Sequence, residues 1–459
     1  MKDKHGLLNA PIGRVLFNMS LPNLIGILTI YGGSLIDTYF ISLLGTESLA
    51  AVSFTFPVAI IFSSIAIGIG AAVSTNLARL IGAGNQPQAK AFLFDALLLT
   101  FLLVSALVCI GIMAIDPLFT LLGANELSLP LIHDYMLVWF LGAPLLVLLM
   151  VGNQGIRATG DTYSPAIIMS VAAIINLILD PLLIFGLGPF PELGIQGAAI
   201  ATSISWLFSA SVAVYILVFK KQILVFTKLS KHRIIKNWCK LGHIARPAAL
   251  MNMINPIANG IILAMLARVD QAAVAAYGAG VRLETLFILG IMALNSSLMP
   301  FVGQNLGAGQ HQRAKDAMML SLRFALVLQT LLYLPIFLSA DFIAQLFSND
   351  AVVIDWLSFY IKALPAAYGP LAVVIIFATC LNAYHRPIQS LVINLVRLFI
   401  LMLPLAAIGL YFGGVKGLLI ALPITNTIMG IACYVMASRI TEPESVTAST
   451  ATESINTIN

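Results

Sequence analysis

Residues 81–84 read Ile81-Gly82-Ala83-Gly84, and residues 306–309 read Leu306-Gly307-Ala308-Gly309, 225 positions later. The same offset relates Pro22 to Pro247, Leu49-Ala50-Ala51 to Val274-Ala275-Ala276, and Ala89-Lys90 to Ala314-Lys315. Further on it slips slightly. Pro165 pairs with Pro387, and Gly194-Ile195-Gln196-Gly197 with Gly414-Val415-Lys416-Gly417. One offset sustained over this distance marks an internal duplication. The chain is two similar halves.

What the halves are made of follows from composition. Of 459 residues, 24 are Lys or Arg and 19 are Asp or Glu, so 9% are charged, against 60% hydrophobic. Mean hydropathy is +0.99. Soluble proteins carry roughly 25% charged residues. So few charges cannot cover a water-facing surface of this size, which excludes a cytosolic enzyme, a disordered protein and a nucleic-acid binder. The chain reads as a polytopic membrane protein in contact with the lipid bilayer. Cys109, Cys239, Cys380 and Cys433 are scattered. Without a CxxC or a Cys/His cluster, neither a disulfide framework nor a metal site is indicated, and no cofactor is expected. Met1-Lys2-Asp3-Lys4 resembles the start of a signal peptide. The apolar run after it is too long, and no small-residue cleavage site closes it, so it reads as a retained span.

A membrane-crossing helix needs about 20 apolar residues. Twelve such stretches are expected: 15–43, 49–78, 91–114, 131–152, 164–187 and 195–219, then 244–268, 273–303, 317–340, 357–381, 388–412 and 415–437. The fold class is therefore all-α, with two pseudo-symmetric six-helix lobes over 1–219 and 244–437. Basic loops stay cytoplasmic. Lys2, Lys4 and Arg14 precede the first span, and Arg79, Lys90, Arg157, Arg313, Lys315 and Arg386 mark even loops. Loops 43–49, 115–130 and 187–194 have no Lys or Arg. Both termini should be cytoplasmic. The linker at 220–243 alternates basic residues with Ile223, Leu224, Phe226, Ile234, Ile235, Trp238 and Leu241. It suits a basic amphipathic helix at the membrane surface, or else a solvated linker. The tail at 438–459 is polar and expected to be disordered.

An even number of spans per half gives both halves the same orientation, related by an axis along the membrane normal. Such pairs bind substrate at their interface and alternate access by rocking, so a transporter is the leading reading.

A charge at the bilayer centre costs at least about 2.5–3.5 kcal/mol and marks function. Asp95, Asp134, Arg282, Glu284 and Arg323 are expected near span ends. Asp37, Asp180 and Arg397 are not. Asn176 and Asp180 are four apart and share a helix face. Pro181 frees the carbonyl of Leu177, and Thr202 adds a hydroxyl from the sixth span. Two carboxylates sharing a low-dielectric site cannot both ionise cheaply, so one can bind and release a proton. The alternative is an Asp satisfied between packed helices. At the repeat offsets, Ile262 and Leu403 stand where Asp37 and Asp180 stand in the first half. The coupling acids are thus expected in the N-terminal lobe alone. Arg397 reads as structural.

The paired Gly-Ala-Gly loops, the two six-span lobes and Arg157-Ala158-Thr159-Gly160-Asp161 after the fourth span resemble the MATE (multidrug and toxic compound extrusion) transporters. Asp37, Asn176 and Asp180, with Thr202, resemble its DinF branch, while 244–268 lacks the acid of the NorM branch. The resemblance implies a V-shaped pair of bundles in the bacterial cytoplasmic membrane, working as a monomer. It implies efflux of drugs and toxins, mostly amphipathic organic cations, in exchange for protons. Asp37 would be protonated from outside and the first helix would bend at Pro22, although a proline near a span start is common. Asn153 and Met169 would line the substrate cavity, Met169 being equally suited to core packing.

Sodium is an alternative coupling ion, since Asp37, Asn176, Asp180 and Thr202 all offer hard oxygen ligands. A lipid-linked oligosaccharide flippase is a further alternative, but it would need a more basic cavity. An intramembrane aspartyl protease would leave the repeat unexplained.

Overall fold

The computed structural model describes residues 6–226 and 228–440, so the tail from residue 441 lies outside the described residues. Helix is the only regular structure among them. The first half contains α1 (Ile12–Ser42), α2 (Thr46–Gly82), α3 (Gln86–Met113), α4 (Ile115–Leu121), α5 (Ser128–Ala158), α6 (Tyr163–Ile184) and α7 (Gly194–Tyr215). The second contains α8 (Lys231–Ala267), α9 (Gln271–Gly307), α10 (His311–Leu338), α11 (Ala340–Phe347), α12 (Ala351–Ala363), α13 (Tyr368–Ala383), α14 (Pro387–Leu395) and α15 (Leu403–Ser438). A π-helical turn, Val396–Met402, joins α14 to α15.

The duplication is visible in the backbone. Helices α2 and α9 are both 37 residues long, and α3 and α10 both 28, with matching ends 225 residues apart. Gly84 and Gly309 turn the chain with φ of +73° and +74°. After the fourth and tenth spans, Gly160 (φ +89°) corresponds to His385 (φ +57°). This left-handed region is one that L side chains normally avoid.

Among the described residues, eleven helical stretches are long and apolar enough to cross a membrane. The last, Pro387–Ser438, has 52 residues, which would be about 78 Å if straight, too long for one crossing. Gly414 breaks it at φ +58°. The chain reverses there, because a Cβ on Gly409 would run into the carbonyl oxygen of Gly417. Two crossings result, and the expected twelve are present.

Each lobe has its own apolar core. The basic ends of the first helices are exchanged between them. Val15, Leu16 and Met19 of α1 join the second core, and Leu241, Ile244 and Ala245 of α8 join the first. In lipid, helices associate through close packing at small residues rather than through the hydrophobic effect. Accordingly, Gly68 of α2 faces the backbone of Ala245 and Ala249 in α8.

The lobes meet most closely where α2 crosses α9. A Cβ on Gly82 would strike the backbone of Gln304, and one on Gly307 would strike the backbone of Arg79. Arg79 Nε donates to Ala383 O (3.1 Å), and Gln304 Nε2 donates to Ala158 O (2.7 Å). Every partner in one set lies 225 residues from its counterpart in the other. The seam is therefore a two-fold contact of the duplicated halves, on the side of the basic loops.

Three expectations are corrected. The linker is not one interfacial helix. Residues 222–226 are non-helical, helix begins at Lys231, and it runs without a break into the seventh span. Asp95, near the start of its span, is not solvated. It is fully buried, where Arg233 grips both carboxylate oxygens (3.0 and 3.1 Å) and Asn237 and Trp238 add donors. That side-chain clamp ties α3 to the start of α8. Glu284 is also deep, 13 residues into α9, or about 20 Å along it. Three tyrosines supply its polar surroundings. An intramembrane acid therefore exists in the second lobe as well.

Replacing Gly82 or Gly307 by Val should force the seam apart. Overpacking costs about 1–3 kcal/mol, and the neighbour here is backbone that cannot rotate away. Thermal unfolding in detergent should show a lower Tm for either variant. An unchanged Tm for both would mean that the two helices do not depend on this crossing.

Candidate functional site: a carboxyl pair between the first, fifth and sixth spans

Asp37 lies five residues from the end of α1, and Asp180 four residues from the end of α6. Both ends are opposite the seam. Helices α1, α6 and α7 pack together, which brings the two carboxyls within hydrogen-bonding contact of each other. Asn176, one turn before Asp180, donates from Nδ2 to Asp180 Oδ1 (3.1 Å) and to Thr202 Oγ1 of α7 (3.3 Å). Asp180 is fully buried. One oxygen on each acid, Asp37 Oδ1 and Asp180 Oδ2, is buried without a hydrogen-bond partner.

The four residues singled out in the sequence are thus one cluster. Tyr135 of α5 is near enough for both carboxyls to act on its hydroxyl. Sequence reasoning missed it, because a tyrosine in an apolar span carries no signal of its own. Two carboxyls in contact bear one proton between them far more cheaply than two negative charges. The free oxygens leave room to accept another proton or a hard cation.

Asn153 and Met169 are not part of this cluster. Met169 is seven residues before Asn176 on α6, about 10 Å nearer the seam. Its sulfur accepts from Arg157 Nη2 (3.3 Å) and lies against Gly26 of α1. Asn153 is buried one turn before Arg157, with its amide oxygen unpaired. Arg157 Nε donates to Asn23 Oδ1 (3.1 Å), and Asn23 Nδ2 donates to Ser297 Oγ of α9 (2.9 Å). Pro22, beside Asn23, lies within an unbroken α1. The hinge candidate therefore sits next to a tie between the lobes.

The rest of the Arg157–Asp161 stretch fastens the fold. Asp161, in the loop before α6, accepts from Ser164 N (2.9 Å) and Oγ (2.8 Å) and pairs with Lys221 Nζ (2.7 Å). Burial alone would raise its carboxyl. The Lys221 and Ser164 donors outweigh that and hold it below the ordinary carboxylate value.

The MatE family model matches residues 22–182 and 247–408, once in each half. The chain belongs to the MatE family of membrane transporters. It is 68% identical to the FAD transporter of Shewanella oneidensis, over 97% of this chain and 99% of that one. It is 26% identical to the multidrug export protein MepA of Staphylococcus aureus, over 94% and 96% of the two chains. In structure it matches the Vibrio cholerae MATE transporter VcmN in its bent form. The TM-score is 0.89 at 30% identity, covering 93% of this chain and 96% of that one.

The Asp161–Lys221 bridge has a testable pH dependence. A carboxyl held low in the fold contributes stability that is complete above its unfolded value of about 4 and is lost as pH falls through the folded one. Below about pH 4 the Tm of the protein should fall more steeply than that of Asp161→Asn. Parallel Tm–pH curves for the two would remove the bridge from the stability account.

Proposed function

We propose that the chain exports FAD, or a dinucleotide like it, in exchange for protons taken up at the Asp37–Asp180 pair. The pair carries the coupling half of this reading. It is the one place where two acids touch inside the spans among the described residues, and each retains a free buried oxygen. Asn176 presents its amide nitrogen, a donor, to Asp180 and Thr202. These bonds orient Asp180 and tie it to α7. The 68% identity to a FAD transporter supports the substrate half. FAD is amphipathic, with flat rings joined through an anionic pyrophosphate, which sets it apart from organic cations.

The hydrogen bonds between the lobes lie on the basic side, which we take as cytoplasmic from the charge rule. The carboxyl pair lies in the outer halves of α1 and α6. Protons would reach it from outside, neutralise it, and free α1 to move about Pro22 and Asn23. Amphipathic organic cations form a second substrate class, favoured by the similarity to multidrug export proteins over 94% of the chain.

Proteoliposomes under separately imposed pH and Na⁺ gradients test both halves. FAD transport should follow the pH gradient and fall at least about tenfold in Asp37→Asn, as for loss of hydrogen bonds to a charged group. Transport driven by Na⁺ alone would replace the proton with sodium. Full pH-driven transport by Asp37→Asn would remove the pair from coupling.

A further inference from the structure

The second lobe contains a cation that the coupling site does not use. Arg397 lies in the π-helical turn between α14 and α15 and is only 8% exposed. Its Nη1 donates to Asn426 Oδ1 of α15 and its Nη2 to Asn255 Oδ1 of α8, both at 3.1 Å. Nε is buried and has no partner. No carboxylate is in ion-pair contact with this guanidinium among the described residues; Glu284, held by the Tyr360 hydroxyl at 3.2 Å, acts on it only from farther away. A buried guanidinium facing neutral amides alone is costly to keep. π-Bulges of this kind often occur at functional sites.

Its depth is informative. Arg397 is ten residues past the start of α14, about 15 Å along the helix and so near the middle of a hydrocarbon core about 30 Å thick. One and two turns into α14, Ser390 and Asn394 donate to Met251 Sδ of α8, one turn before Asn255. Polar side chains thus lead from the basic end of the lobe to Arg397. Both Asn255 and Asn426 are half-buried, so the guanidinium is bordered by groups a ligand can reach. At the offset of Pro165 and Pro387, Arg397 corresponds to Ile175, next to Asn176. Arg397 therefore lies about five residues nearer the basic side than the position equivalent to Asp180.

We propose that Arg397, oriented by Asn255 and Asn426, is the anion subsite that receives a phosphate of the transported molecule. Its free Nε–H and remaining guanidinium protons supply a planar fork suited to phosphate oxygens. The inference rests on the dinucleotide reading above.

Flavin fluorescence titration of the purified protein tests it with FAD, with riboflavin, which has the same ring system but no phosphate, and with ADP as competitor. Arg397→Gln should weaken FAD and ADP binding roughly tenfold to a hundredfold and leave riboflavin unchanged, as expected for lost hydrogen bonds to a charged group. Arg397→Lys should recover part of the loss. Asn426→Asp keeps the arginine but sets a carboxylate beside it, and should weaken FAD binding too, which covers the case of an unfolded Gln variant. Unchanged FAD affinity in Asn426→Asp and in folded Arg397→Gln overturns the subsite. If vesicles show no FAD transport by the unaltered protein while ADP binding still depends on Arg397, the subsite stands and the substrate assignment falls. If Arg397→Gln carries FAD as well as the unaltered protein does, the subsite falls and the assignment stands.

Discussion

The crossing of α2 and α9 is the constraint on which the rest of the architecture depends. Gly82 and Gly307 bring the two backbones into direct contact, and Arg79 and Gln304 each reach a carbonyl in the opposite lobe. Because the contact is reciprocal, it fixes the axis that relates the halves. Each first helix then crosses that axis, so α1 lends its basic end to the second core and α8 lends its own to the first. The lobes share no single core. They are two bodies that meet where α2 packs on α8 and α9 and where α1 packs on α9.

On this symmetric scaffold the chemistry is asymmetric. The first lobe sets Asp37, Asp180, Asn176 and Thr202 where α1, α6 and α7 meet. The second has no acid at the corresponding positions and holds Arg397 between two asparagines instead. A transporter whose cargo differs from its coupling ion gains from this division. Groups of opposite charge are thus kept in separate lobes, where they do not compete for the same partners.

Much of this was legible in the sequence, because duplication and hydropathy are one-dimensional signals. The offset of 225 located the paired turns, and Gly414 marked the last reversal. Asn176 and Asp180 were readable as a pair because helical spacing fixes their common face. What stayed hidden depends on three-dimensional partners. Asp95 looked like a residue near a span end, yet it is clamped by Arg233, 138 positions away. Glu284 looked peripheral, but tyrosines from distant helices make a deep place for it. The helical continuity from Lys231 into the seventh span was hidden by its basic composition, which reads as a boundary where the helix does not stop.

The energetics of the seam suit a moving part. Arg79–Ala383, Gln304–Ala158, Asn23–Ser297 and Ser20–Ser297 are hydrogen bonds between the lobes. The three neutral bonds are worth about 0.5–1.5 kcal/mol net each and the one from Arg79 about 1.5–3 kcal/mol, so together they contribute about 3–8 kcal/mol. A proton moving down one pH unit releases about 1.4 kcal/mol, and one crossing 100 mV about 2.3 kcal/mol. A gradient of this size matches these four bonds in scale. These four bonds run to backbone and hydroxyl oxygens, while the buried Arg233–Asp95 pair anchors the start of α8 to α3 separately.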